Sequence, residues 1–185
     1  MMSTDPRAEL VDHLPALRAF ALSLTRNSAT ADDMVQDAVV KAWTNIDKFE
    51  AGTKMRAWLF TILRNTYYSS LRKSNREVAD VDGVFTETLS VKPDHDGRMQ
   101  LGDFKKAFET LPDEQREALV LVGASGFTYE ETAKMTGVAV GTVKSRVNRG
   151  RERLTELLQL AEGDPMELTD SATMAVITNA GPVQR

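Results

Sequence analysis

The sequence predicts an all-α protein in which two small helical domains are joined by a flexible acidic linker. Three observations lead there. Strong helix formers dominate strand formers along most of the 185 residues, and only 6 residues are Pro. Apolar residues recur at helical spacing on both sides of the chain's middle. Between those stretches, residues 76–100 (REVADVDGVFTETLSVKPDHDGRMQ) lack sustained periodicity and contain Gly83, Pro93 and Gly97, the composition of a tether. The expected organisation is a first domain at 8–75, a linker at 76–100, a second domain at 101–160, and a mobile tail at 161–185 with one short helix around 166–177.

Composition removes several classes of function. There is no Cys, so neither a disulfide framework nor a thiolate site exists. The start MMSTDPRAEL has no basic stretch leading into an apolar run, and no segment approaches the ~20 apolar residues of a membrane helix, so cytoplasmic residence without membrane insertion is expected. The net charge of −4 is unevenly placed. Residues 51–76 carry 6 Lys/Arg and no acid, and residues 139–153 carry 5 against one, while the flanking segments are acidic or balanced. Two basic patches in an acidic frame are the footprint of a protein that touches phosphates at two places.

In the first domain Val35, Ala38, Val39, Ala42 and Ile46 follow a helical period and predict a buried stripe. The opposite face shows Asp33, Asp37, Val40, Lys41 and Thr44, with Gln36 at the edge; on spacing alone it is a solvated face. Asp32, Asp33 and Asp37 lack a nearby His or a Gly-punctuated calcium loop, and no metal or other cofactor is expected. The next helix, MRAWLFTILRNTYYSSLRK, is predicted to bury Met55, Leu59, Ile62 and Leu63. Trp58, Thr61, Arg64, Asn65, Tyr68 and Arg72 then share an outward arc. Cations bind phosphates, aromatic rings stack on unpaired bases and Asn reads base edges. The alternative is that Trp58 and Tyr68 are half-buried core aromatics, which for Trp58 fits equally well; for the acid-free run from Ala51 to Arg76 the nucleic-acid reading is ahead.

In the second domain Thr128-Tyr-Glu-Glu131 fits a capping box that opens a helix through Met135, and Thr136-Gly-Val138 makes a turn. A second helix from about Ala139 completes a helix-turn-helix. Val140, Val143, Val147, Gly150 and Leu154 form its buried face. Gly141, Ser145, Asn148 and Arg149 point away, flanked by Lys144 and Arg146. Small residues near the start let the backbone approach base edges, Arg149 suits guanine, and Lys144 and Arg146 suit phosphates.

These residues carry a family resemblance. Asp33-Met-Val-Gln-Asp-Ala-Val-Val-Lys-Ala-Trp43 followed by Phe49 resembles the polymerase-clamp-binding helix of bacterial sigma factors. Arg56-Ala-Trp-Leu-Phe-Thr-Ile-Leu-Arg-Asn65 resembles their promoter-melting, −10-reading helix. Leu111-Pro-Asp-Glu-Gln-Arg-Glu-Ala-Leu119 with GTVKSRVNRGRERL resembles their −35-reading domain. With only a linker between these parts, the chain resembles the extracytoplasmic-function (ECF) sigma factors, and GTKMRAWLFTILRNTYYS is similar to the alphaproteobacterial general-stress branch. Two departures stand out: Val138-Ala139 lacks the Pro or Ser common at that helix start, and Asn148 replaces a bulky apolar residue seen in some relatives.

The resemblance implies a non-enzymatic factor that binds core RNA polymerase and directs promoter-specific initiation, in a stress response. Its implied partners are the β′ clamp and β flap of core polymerase, promoter DNA and an anti-sigma factor, with no small-molecule substrate. Asp33, Gln36, Asp37, Val40, Lys41 and Trp43 would meet core polymerase. Lys54, Arg56, Trp58, Thr61, Arg64, Asn65 and Tyr68, with the loop Glu50–Thr53, would hold the −10 strand. Gly141, Thr142, Lys144, Ser145, Arg146, Asn148 and Arg149 would meet the −35 duplex. The free protein is expected to hide its DNA surfaces by packing its domains together or against an anti-sigma partner. Competing readings are a sigma mimic that sequesters an anti-sigma factor and a conventional helix-turn-helix regulator. Neither would give promoter-specific transcripts with core polymerase.

Overall fold

A computed structural model describes residues 6–50, 54–79 and 101–158. Among them there is helix, turn and irregular chain but no strand. The first half comprises α1 (Pro6–Asp12), α2 (Leu14–Thr25), α3 (Ser28–Thr44), a 3₁₀ turn (Ile46–Lys48) and α4 (Met55–Ala79). The second comprises α5 (Leu101–Glu109), α6 (Asp113–Leu119), a wide π turn (Val120–Ala124), α7 (Tyr129–Thr136) and α8 (Val140–Leu158). Helix α4 continues past the expected linker start at residue 76 to Ala79, because nothing in Arg-Glu-Val-Ala breaks a helix. Residues 80–100 and the tail, with its expected helix at 166–177, lie outside the described residues.

Local sequence explains each boundary. Pro15 starts α2, and Arg26 ends it in the left-handed conformation (φ 57°), its N–H bonded to the Leu22 carbonyl. Asn27 caps α3 by accepting the Thr30 N–H at 3.0 Å. Helix α7 opens on the expected capping box and closes on Gly137 at φ 70°, where a side chain would be strained.

The buried stripe of α3 and the 3₁₀ turn after it keeps the expected Ala38, Ala42 and Ile46 but differs at the two valines. Ala31, Met34, Ala38 and Ala42 face α2 and α4, whereas Val35 and Val39 are only half-buried. Three alanines let α3 lie close to its neighbours, and this close approach selects the small residues over the valines. Val35 and Val39 instead join Leu14, Pro15, Arg18, Gln36 and Val40 around an open apolar groove of about 770 Å³.

Helix α4 buries Met55, Leu59 and Leu63 as expected, with Ile62 half-buried, but also Phe60, Thr66 and Tyr67. Phe60 stacks on Phe20 at 4.9 Å and stands edge-on to Phe127 at 5.2 Å, so the two halves share one core.

In α8 Val143, Val147, Gly150 and Leu154 are buried and Val140 is half-buried. A Cβ on Gly150 would lie 2.8 Å from Leu119 Cδ1, and Leu119 is itself fully enclosed. Gly150→Ala is therefore expected to destabilise the protein by about 1 kcal/mol: overpacking costs ~1–3, and the better helix propensity of Ala offsets ~1. A rise in melting temperature would show that Leu119 moves aside freely.

Candidate nucleic-acid interface

Helix α4, which carries no acid before Glu77, places its outward residues along one side, and the second half lies against them. Lys54 Nζ is 2.5 Å from Glu131 Oε1. The Arg56 guanidinium sits 5.1 Å from the Phe127 ring and 5.4 Å from Phe60. Arg64 Nε donates to Glu117 Oε1 at 2.7 Å, its guanidinium stacks over Tyr68 at 4.5 Å, and the Tyr68 hydroxyl donates to Glu117 Oε2 at 3.3 Å. Thr61 donates to the Ala57 carbonyl at 2.8 Å, Trp58 packs half-buried on Phe49 at 5.3 Å, and Asn65 is exposed. In the loop Glu50–Thr53, Glu50 is exposed and residues 51–53 lie outside the described residues.

Glu117, Phe127 and Glu131 thus lie against this arc, a place that the sequence reading gave to none of them. The signal was present in Arg116-Glu117, a charged pair leading into the apolar run Ala118–Val122. Glu117 is 1% exposed. Burial pushes its carboxyl above the usual carboxylate range, opposed by the Arg64 guanidinium. The Tyr68 hydroxyl is pushed up by burial and by the Glu117 charge. Tyr67, enclosed beside Asp113, is pushed up to about 12, first by burial and then by that carboxylate. At the solvent edge the hydrogen bond from Lys54 holds Glu131 below its ordinary value.

Arg116 fastens the two halves. It is 0% exposed, and its guanidinium donates to the carbonyls of Ser23 (2.6 Å), Leu24 (3.4 Å) and Leu111 (2.8 Å) and to Asp113 Oδ1 (2.6 Å). Two of these carbonyls end α2, where a cation satisfies unpaired acceptors and the helix dipole together. Tyr67 adds bonds to Leu24 O and Asp113, and Arg26 donates to the Glu109 carbonyl at 2.9 Å.

The outward face of α3 stays open. Asp33, Gln36, Asp37 and Lys41 are exposed, as are Val40 at 64% and Trp43 at 53%. Lys41 Nζ reaches Thr66 Oγ1 at 3.0 Å, and Arg7 stacks 5.2 Å over Trp43. Asp32 turns away to Arg18, which it meets at 2.6 and 3.3 Å. Beside the apolar groove, Val40 and Trp43 make this more than a charged, solvated helix face.

On α8, Gly141, Thr142, Lys144, Asn148 and Arg149 are exposed, with Lys144 5.7 Å from the Tyr129 ring. Ser145, expected to point away, and Arg146, expected on the flank, are both half-buried, and Arg146 is drawn back to Glu114 at 3.3 Å. The expected phosphate cation at 146 is therefore partly neutralised within the chain, because α8 packs directly on α6.

Comparison with known proteins identifies the family of both halves. Residues 10–77 match the family Sigma-70 region 2, and residues 101–154 match Sigma-70, region 4. The chain is 46% identical over 175 residues to the ECF RNA polymerase sigma factor EcfG of Rhodopseudomonas palustris, covering 95% of this chain and 96% of that protein. The chain belongs to the ECF sigma factors. It is 35% identical over 150 residues to SigM of Mycobacterium tuberculosis, covering 79% of this sigma factor and 73% of SigM. Among solved structures, the sigma factor RpoE of Bartonella quintana, in complex with the anti-sigma factor NepR, is 53% identical, with a TM-score of 0.74 over 85% of this chain and 99% of RpoE. In this sigma factor region 4 lies on the α4 helix of region 2, while the outward faces of α3 and α8 remain accessible.

Proposed function

We propose that this sigma factor docks on core RNA polymerase through Asp33, Gln36, Asp37, Val40, Lys41 and Trp43, then reads two promoter elements with two helices. Lys54, Arg56, Trp58, Thr61, Arg64, Asn65 and Tyr68 hold the unpaired −10 strand by charge, stacking and base-edge bonds. Gly141, Thr142, Lys144, Ser145, Arg146, Asn148 and Arg149 dock in the major groove of the −35 element. The observation that carries the reading is the exposed face of α8, opposite its buried stripe, combined in one chain with a helix α4 that carries no acid between Met55 and Arg76. Expected domain limits are 8–75, 76–100, 101–160 and 161–185, with the first helical unit carried on to Ala79 by α4. Likeness to EcfG and to a sigma factor solved with NepR supports stress-response control by an anti-sigma factor. Working with polymerase places the protein in the cytoplasm; no helix among the described residues is long and apolar enough to cross a membrane.

Run-off transcription with core polymerase on a promoter library tests the reading directly. Promoter-specific transcripts are expected; a sigma mimic or a conventional regulator yields none. Replacing both Asp33 and Gln36 by Ala is expected to weaken core binding by about tenfold while leaving helical content unchanged, since both side chains are exposed. Unchanged affinity in a core-binding titration would remove α3 from the interface.

A further inference from the structure

One face of region 4 meets four of the seven residues assigned to the −10 strand. Glu117 accepts from Arg64 and Tyr68, Glu131 accepts from Lys54, and Phe127 lies against Arg56. Carboxylates occupy the cation sites and an aromatic ring occupies a guanidinium face. These are the chemistries that phosphates and an unstacked base present to a reading helix. We propose that Glu117, Phe127 and Glu131 form a cis-acting mimic of the −10 single strand, so that region 4 and the strand compete for the same side chains of α4. The inference rests on the −10 assignment above.

The geometry makes the competition one-sided. Gly141, Thr142, Asn148 and Arg149 stay exposed in the closed chain, so closure blocks the −10 helix and leaves the −35 face free. The Arg64–Glu117 bridge is largely desolvated, at 17% and 1% exposure, and the cost of burying Glu117 opposes the attraction between the charges. That bridge specifies the closed arrangement more than it stabilises it; the shared core at Phe60 and the Arg116 clasp set the cost of opening. A strand that gains both charge and stacking contacts can displace the bridge, and its apparent affinity is reduced by the fraction of chain that is open.

The absence of Cys allows a direct test. Arg26 and Glu109 touch across the two halves, and neither belongs to a reading face. In the double variant Arg26→Cys with Glu109→Cys, the two thiols can be joined by a short cleavable bismaleimide or labelled with a donor–acceptor dye pair. Run-off transcription by the unjoined variant with core polymerase checks the sigma reading separately. The joined chain is expected to bind a fluorescent single-stranded −10 oligonucleotide of the library-selected promoter at least tenfold more weakly. It should also fail to open that promoter with core polymerase, and cleavage should restore both. Binding of a −35 duplex should not change. In the dye-labelled chain the −10 strand should lower energy transfer as it binds. A transcribing variant whose joined form still binds the strand and opens the promoter, or whose labelled form binds the strand with no fall in transfer, overturns the proposal.

Discussion

Replacing Arg116 by Ala is expected to cost ~3–5 kcal/mol of stability. The ion pair with Asp113 is the smaller part of this, because that carboxylate is 38% exposed and water can take over the bond. The larger part lies at the carbonyls of Ser23 and Leu111. Each loses a guanidinium donor in a site closed to solvent, at ~1–3 kcal/mol for every acceptor left unmet. The volume vacated by a wholly buried side chain adds a cavity term unless ordered water fills it. Arg116→Lys should recover little, since one ammonium cannot span acceptors on α2 and on the α6 approach as a planar guanidinium does. Urea denaturation of the full chain measures both variants. A loss below ~1 kcal/mol for Arg116→Ala would mean that water replaces the guanidinium and that the clasp between the halves is weak.

The second large effect is expected on DNA. Arg149 is exposed on α8 and, if it bonds a base in the major groove, Arg149→Ala should cost ~1–3 kcal/mol on the matching promoter and relax preference at one −35 position. That is about a 5- to 150-fold loss of affinity. Lys144, flanking that face beside Tyr129, is placed to meet phosphate. Lys144→Ala should then weaken all sequences alike and reduce the salt slope by about one unit. Measured as holoenzyme across a −35 library, equal losses with identical salt dependence for both variants would reduce the basic face of α8 to a general phosphate patch.

Much of this protein is written in interactions that span only a few residues, and these were legible without a structure. The capping box Thr128–Glu131, the left-handed turn at Gly137, and the split of α8 into a Val143, Val147, Gly150 and Leu154 face and an outward face all depend on neighbours within about two helical turns. Period alone placed the α4 cations and aromatics on one side of a helix. It could not say what covers them. Arg64 and Glu117 are 53 residues apart in the chain, and Arg116 and Ser23 are 93 apart; whether such charges are solvated or buried depends on which distant surface arrives with a matching group. The same holds for α3, where the close approach of α2 and α4 buried Ala31 and Met34 beside the expected Ala38 and Ala42 and left Val35 and Val39 at the groove. Helical spacing determines which side chains share a face. Packing between distant segments decides which face is inside, because burial free energy is gained only where two surfaces fit and every buried charge finds its partner.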